Sequence, residues 1–282
     1  MTNKSSKVLV TGSNGFIGSH LNKYLSKNNV NLTSVTHADG DIRKLELNLF
    51  GVQDQVIHLA NKNFIPDSWK TPSDFFSINV EGTLNVLEYC RESGARLIYT
   101  SAYVYGEPKY LPIDEGHPVS GINPYMKSKI LAEELVHFYS KYLGVSTVIV
   151  RPFNIIGTNQ NNSFLIPTIV NQLKESNNIH IRSLKPKRDF LHIDDFCEAI
   201  FEIITKNQLT GVYNIGSGES FSVKEIIELF SEILGTSITY SEDSVERPNE
   251  VMDVVADISK IVSDTGWTPK LSIKEGLSKL AE

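Results

Sequence analysis

The chain has 282 residues, 40% hydrophobic and 21% charged, with 27 Lys plus Arg against 33 Asp plus Glu for a formal net charge of −6. That length suits one large domain or two closely joined ones, and the composition excludes a disordered chain. A mildly acidic chain without a Lys/Arg cluster is a poor fit to sequence-independent nucleic-acid binding, so any anionic ligand must be met by a few basic side chains and backbone amides.

Val8-Leu9-Val10 is an apolar run of the buried-strand type, followed by a Gly-rich turn and a helix through Leu21 and Leu25. Residues 31–36 read as a second strand and Val56-Ile57-His58-Leu59-Ala60 as a third. A broad apolar helical face spans 74–91, with Phe75, Ile78, Leu84, Leu87 and Cys90. Leu97-Ile98-Tyr99-Thr100 is a strand, Pro124 opens a helix striped by Ile130, Leu131, Leu135 and Tyr139, and residues 145–150 return to strand. This alternation predicts an α/β fold, doubly wound, with a parallel sheet covered on both faces.

After Arg151 the pattern loosens. An Asn-rich loop at 159–163 precedes a helix at 164–174 and a turn at Asn177-Asn178. Asp194 caps a helix running to Ile204, residues 211–218 are strand then turn, 223–234 are helix, and 241–250 are polar and irregular. The expected organisation is a first domain over 1–157, with 188–215 returning to it, and a smaller, partly interleaved C-terminal subdomain over 158–187 and 216–282.

Two cysteines, Cys90 and Cys197, provide no disulfide framework and no four-thiolate zinc site; both lie in apolar helical stretches, where Cys acts as a small hydrophobe. Residues 1–7 lack the apolar core of a signal peptide, and no run approaches the ~20 apolar residues of a membrane span. The expectation is a cytoplasmic protein with neither membrane nor nucleic acid among its partners.

Thr11-Gly12-Ser13-Asn14-Gly15-Phe16-Ile17-Gly18 follows the first strand and opens a helix, with glycines at 12, 15 and 18. Small residues there permit a tight turn, backbone approach to a pyrophosphate and close helix–strand packing. A bound dinucleotide is expected, although three glycines alone would equally mark a structural turn. The end of the second strand, Thr36-His37, carries no acid where the ribose hydroxyls of NAD are usually held. Asp39 and Asp41 follow, either for that purpose or as turn residues, and Arg43 stands within reach of a 2′-phosphate, so NADP and NAD both remain open.

Tyr125 and Lys129 in Asn123-Pro124-Tyr125-Met126-Lys127-Ser128-Lys129 are four apart and share a helical face. An ammonium beside a phenol favours the phenolate and draws a pKa near ~10 toward neutrality. Such a Tyr can exchange a proton with a sugar hydroxyl during hydride transfer. Alone this pair is common on solvated helices. Its company is Thr100-Ser101-Ala102 at a strand end, where α/β proteins bind ligands.

These residues carry a resemblance. The chain resembles the extended short-chain dehydrogenases/reductases of the NAD-dependent epimerase/dehydratase branch, which act on nucleotide sugars through a Rossmann sheet. The matching pieces are residues 11–18, Gly40-Asp41-Ile42-Arg43, His58-Leu59-Ala60, Asn79-Val80-Glu81-Gly82-Thr83, Ser101 with Val104-Tyr105-Gly106, and Tyr125 with Lys129. Arg151-Pro152-Phe153-Asn154, Arg188-Asp189-Phe190, His192-Ile193-Asp194-Asp195, Asn214-Ile215-Gly216 and Arg247-Pro248 complete them.

The resemblance implies Ser101, Tyr125 and Lys129 as catalytic residues. It implies a cofactor set of Gly12, Asn14, Gly15, Phe16, Ile17, Gly18, His37, Asp41, Ile42, Leu59, Ala60, Asn79, Thr100, Tyr125, Lys129 and Pro152, with Asp41 and Ile42 against the adenine. Ser101, Tyr125, Asn154, Arg188 and Arg247 would hold the sugar nucleotide, the last three at its pyrophosphate. Against this stand plainer readings, Arg188 paired with Asp189 and Arg247 merely solvated. His192, Asp194 and Asp195 suggest a metal only weakly, since helix capping and packing explain them. No metal is expected.

Family dehydratases place an acidic pair just after the catalytic hydroxyl, where this chain has Ala102 and Tyr103, so dehydration is disfavoured. Two enzymatic readings remain. A 4-reductase delivers hydride once to an NDP-4-keto-6-deoxyhexose and exchanges its cofactor. A 4-epimerase oxidises and re-reduces C4 and retains its NAD. The shortened stretch before Gly40 and Thr36 in place of the acid remove cofactor-gripping elements and favour the reductase. A non-catalytic dinucleotide sensor is the third reading, disfavoured because the Tyr–Lys pair is kept. Relatives often pair through the helices holding residues 79–90 and 125–142, so a homodimer is expected.

Overall fold

In the computed structural model, which describes residues 6–243 and 250–281, the apolar runs become strands of one six-stranded sheet. The first half runs β1 (Lys7–Thr11), α1 (Phe16–Lys27), β2 (Asn31–Val35), β3 (Gln55–His58), α2 (Ile65–Lys70), α3 (Pro72–Phe76), α4 (Gly82–Ser93), β4 (Arg96–Thr100), α5 (Pro124–Leu143) and β5 (Thr147–Pro152). The second half adds β6 (Asn154–Ile156), α6 (Leu165–Glu175), β7 (Asn178–Ile181), β8 (Lys187–Arg188), β9 (Phe190–His192) and α7 (Ile193–Thr205). It ends with β10 (Gly211–Ile215), β11 (Phe221–Ser222), α8 (Val223–Leu234), β12 (Thr239–Glu242), α9 (Ser259–Thr265) and α10 (Ile273–Ala281).

The sheet order is β10-β5-β4-β3-β1-β2, and β1 through β5 pair in parallel. Every residue of β3, β4 and β5 is buried, as a strand covered on both faces requires. β2 is mostly open, in keeping with its place at an edge. This is the doubly wound parallel sheet expected from the alternation, and the Rossmann architecture that the resemblance implies.

Two compact units emerge. One holds Met1–Gly106, Pro118–Pro152 and Cys197–Tyr213; the other holds Glu107–His117, Phe153–Phe196 and Asn214–Glu282. The division read from sequence put 107–117, 153–157, 188–196 and 214–215 with the first unit. The pairing explains the difference. Ile113 bridges Ala256 in parallel and its carbonyl accepts from Asn214 Nδ2, while β6 pairs with β9.

The broad helical face over 74–91 is not one regular helix. Between α3 and α4 the chain makes a π turn, Ser77–Glu81, which widens the helix by about one residue at Asn79. Asn178, expected in a turn, instead begins β7.

Candidate active site

The glycines of the first turn have three separate reasons. Gly12 sits at φ +68°, and a Cβ there would stand 2.7 Å from the Ala60 amide nitrogen, so the turn and the exit of β3 touch backbone to backbone. A Cβ on Gly18 would stand 2.3 Å from the Gly12 carbonyl oxygen. Gly15 meets only that oxygen, at 3.3 Å, and it and Asn14 are exposed while Phe16 and Ile17 are half-buried. The first turn of α1 has neither a side-chain cap nor an acid, so its amides and the helix dipole are available to an anion. A pyrophosphate fits this cradle.

Thr11 closes β1 by holding the exit of β3. Its Oγ1 accepts from the Leu59 and Ala60 amides, both at 3.2 Å, and lies 2.7 Å from His58 Nδ1. With two donors already on that oxygen, its hydrogen points to Nδ1 and the imidazole carries its own on Nε2. Burial, reinforced by the Lys129 charge, pulls His58 down to about 3, so it is neutral.

At the end of β2 the absent acid is explained rather than replaced. Thr36 caps a short turn containing His37, and the Asp39 carboxylate accepts from Thr36 N at 2.8 Å and Thr36 Oγ1 at 2.9 Å. Asp39 is turn chemistry. Asp41 is gripped by Arg43 through Nε at 2.9 Å and Nη2, which holds the carboxyl down to about 2, while Arg43 Nη1 donates to Ser77 Oγ at 2.9 Å. The guanidinium that sequence left within reach of a 2′-phosphate is engaged by Asp41. Ile42 packs on Gly82, and its carbonyl accepts from Asn85 Nδ2 at 2.9 Å.

Asn79 lies in the π turn. Its amide exchanges bonds with the Lys62 backbone, N to Oδ1 at 2.8 Å and Nδ2 to O at 3.0 Å, and donates to Ser128 Oγ at 2.9 Å. Ser128 donates in turn to the Tyr125 carbonyl at 2.7 Å. The widened turn thereby steadies the first turn of α5.

α5 begins as its sequence dictates: Asn123 Oδ1 accepts from Met126 N at 2.8 Å and Pro124 is the first helical residue. Lys129 is 2% exposed; its Nζ donates to the Thr100 carbonyl at 2.7 Å and sits 4.4 Å from the centre of the Tyr99 ring. Tyr125 packs on Ala102, Val104 and Ile130 and meets the Phe75 ring edge-on at 6.4 Å. Both residues of the pair therefore reach the segment at the end of β4. Ser101 follows it, with its amide donating to Val150 O at 2.8 Å. Its buried Oγ and that of Thr100 have no hydrogen-bond partner among the described residues, which marks them as open to a ligand.

The electrostatics run against the simple pairing argument. Desolvation of the hydroxyl pushes the Tyr125 phenol up, not toward neutrality. Burial pulls Lys129 down to about 7, opposed by the charge of Glu133. The ammonium is spent on a carbonyl and a ring, so the phenol keeps its proton.

Leu59, Ala60, Thr100 and Pro152 all stand at strand ends on the same edge as the glycine turn. In the second unit, Asn154 Nδ2 donates to Asp189 O at 3.0 Å. Arg188 pairs with Glu250, not with Asp189, through Nη2 at 2.8 Å, and its Nη1 donates to Val251 O at 2.7 Å. Asp189 instead accepts from Ser217 N and Oγ, Gly218 N and Ala256 N. Arg247 lies outside the described residues. Asp195 accepts from the Lys270 and Leu271 amides, and Asp194, expected to cap the helix, lies inside the first turn of α7 and pairs with Lys279. Among the described residues, no three His, Cys, Asp or Glu side chains stand together to hold a metal.

The sequence reading assigned no role to Glu133, and Arg151 entered only within a motif. Yet they form a buried ion pair beside Lys129. A charge on the apolar stripe of a helix, and another ending the apolar run Val148-Ile149-Val150, were the available signals.

The family model for the NAD dependent epimerase/dehydratase family matches residues 8–216. The GDP-6-deoxy-D-mannose reductase of Pseudomonas aeruginosa is 31% identical, over 96% of this chain and 94% of that one. A putative UDP-glucose 4-epimerase of Methanocaldococcus jannaschii is 32% identical, over 97% and 96%. Among solved structures, RMD from Pseudomonas aeruginosa complexed with NADPH aligns with a TM-score of 0.89 and 29% identity, covering 98% of this chain and 97% of that one.

Proposed function

The chain belongs to the NAD-dependent epimerase/dehydratase family, and from that premise we propose that it is the reductase of an NDP-4-keto-6-deoxyhexose, with Tyr125 as proton donor. It is an NAD(P)-dependent enzyme of nucleotide sugars, and the choice left is between reduction and epimerisation at C4. One observation carries the choice: the Asp39 carboxylate is turned back onto Thr36, so no free acid follows β2 to grip the ribose hydroxyls. A cofactor held without that grip exchanges readily, as a reductase requires and an epimerase must avoid. The NADPH in the similar Pseudomonas structure agrees.

When bound, the dinucleotide supplies the hydride. The protein supplies the rest. Tyr125, kept protonated by desolvation, holds the proton for the C4 oxygen. Ser101 Oγ, buried and unpartnered, offers that oxygen a second hydrogen bond. Lys129, anchored on Thr100, provides the positive charge that the phenolate needs once its proton has gone. Asn154 and Arg188 would take the diphosphate, with Arg188 exchanging Glu250 for it. The reading includes a homodimer and, with Cys90 and Cys197 both buried and neither in a disulfide, a cytoplasmic setting.

The 4-epimerase is the second reading, favoured by the Methanocaldococcus relative. Denaturing freshly purified protein and identifying any released dinucleotide separates the two. An empty protein that then oxidises NADPH with a GDP-linked 4-keto-6-deoxyhexose is the expected result. Near-stoichiometric NAD, with UDP-glucose and UDP-galactose interconverted, would establish the epimerase instead. In either assay Tyr125→Phe should abolish turnover while leaving dinucleotide binding intact.

A further inference from the structure

Glu133 and Arg151 are ionic side chains only 4% and 6% exposed, and neither touches the reaction described above. Arg151 ends the apolar run of β5 and faces α5 with a two-pronged grip, Nε to Glu133 Oε1 at 3.0 Å and Nη2 to Oε2 at 2.6 Å. Its remaining nitrogen, Nη1, donates to Tyr105 Oη at 3.0 Å, and the guanidinium lies 4.9 Å from that ring's centre. Tyr105 is four residues beyond Ser101 on the segment leaving β4. Glu133 is one helical turn beyond Lys129 and two beyond Tyr125. From β5, one guanidinium therefore joins the two elements that carry Ser101, Tyr125 and Lys129.

Stability does not explain this arrangement. Taking two charges out of water costs about as much as their attraction returns, and apolar residues of the same volume commonly serve the fold as well or better. What such a pair does supply is fixed geometry and a fixed charge.

We propose that Glu133, Arg151 and Tyr105 form a positioning unit for the reaction, holding the Ser101 segment in place against α5 and keeping one negative charge a helical turn from Lys129. The proposal rests on the assignment of Tyr125 and Lys129 above.

The sign of its effect follows from what surrounds Lys129. On its own helix Tyr125 and Glu133 lie one turn to either side of it. From β4 come the Tyr99 ring and the Thr100 carbonyl, and from β3 the neutral His58. Glu133 itself faces Arg151 from β5 and Tyr99 from β4, and Tyr105 of the Ser101 segment is bonded to Arg151. Burial drives Lys129 toward its uncharged form, and Glu133 is the group that opposes it. Removing the Glu133 charge lets the ammonium go at lower pH, and with it the charge that stabilises the Tyr125 phenolate.

The test is the pH profile of kcat for Glu133→Gln, with whichever of the two sugar nucleotides the enzyme turns over. The alkaline limb should move to lower pH by about one unit, a roughly tenfold loss of rate above it. KM for the dinucleotide should stay at the wild-type value, and Glu133→Asp, which keeps the charge, should keep the wild-type limb. A limb that stays in place in Glu133→Gln overturns the proposal, whatever happens to Tm. If Glu133→Gln fails to fold, Tyr105→Phe removes the hydroxyl that Arg151 Nη1 bonds and should lower kcat with the dinucleotide KM unchanged, and a wild-type kcat there overturns the proposal. The Tyr125→Phe variant in the same assay keeps the two readings apart: active Tyr125→Phe refutes the catalytic assignment, whereas inactive Tyr125→Phe beside an unshifted Glu133→Gln refutes only the positioning unit.

Discussion

A methyl group added at Gly18 would stand 2.3 Å from the Gly12 carbonyl oxygen and 2.7 Å from Ser13 Cα, both backbone atoms of a turn already pressed against Ala60. The same methyl at Gly15 meets that oxygen at 3.3 Å and otherwise opens on space. Gly18→Ala should therefore lower stability by about 1–3 kcal/mol, as overpacking does. Gly15→Ala should leave the melting temperature nearly unchanged and weaken dinucleotide binding, because its methyl occupies room meant for the pyrophosphate. Thermal melts and dinucleotide titrations of both variants check the contrast; equal behaviour in both would refute it. The spacing of the three glycines was legible in sequence, and so was the Tyr125–Lys129 pair. The direction of the electrostatics was not. Whether an ammonium lowers a neighbouring phenol depends on what else it bonds, and the Thr100 carbonyl and Tyr99 ring come from a strand whose nearness only the fold creates.

At the scale of elements, α5 shows how local chemistry serves a site. Its first turn carries Tyr125, and that turn is held by the Asn123 cap, by Pro124 and by the bond from Ser128 to the Tyr125 carbonyl. Asn123→Ala removes the cap and should cost about 1 kcal/mol of stability. Because the frayed turn is the one bearing the proton donor, kcat should fall further than folding stability alone would suggest, with Asn123→Asp restoring both. A kcat equal to wild type in Asn123→Ala would show that the turn needs no cap. The helix start, Pro124 included, was readable in the sequence, as were α1, α8 and the strands β3 to β5. The π turn at Ser77–Glu81 was not, since Phe75, Ile78, Leu84 and Leu87 satisfy an ordinary helical period. Its cause is tertiary: Asn79 is drawn to the Lys62 backbone and to Ser128.

For the whole molecule, the apolar residues left open on two helices bear on assembly. Leu84 on α4, and Phe138 and Tyr142 on α5, are 38%, 50% and 63% exposed, and the Phe138 and Tyr142 rings stand 5.2 Å apart. Light scattering should find twice the mass of one chain, and Phe138→Glu should halve it while leaving the circular dichroism unchanged. A wild-type monomer would remove the dimer from the proposal. The doubly wound sheet was legible because its central strands are continuous apolar runs, but the division into units was not. Residues 107–117 are short and polar-flanked, and only their partners, Asn214 and Ala256, assign them.

That last pairing also sets a timetable. Ile113 leaves the ribosome roughly 140 residues before Ala256, the residue it bridges. At about 5–20 residues per second the wait is on the order of ten seconds. Residues 107–117 must spend it without their partners, while the sheet of the first unit can complete once β10 has emerged. Folding during synthesis thus has an order: the sheet of the first unit can close first, and the second unit is finished only after Ala256 has emerged.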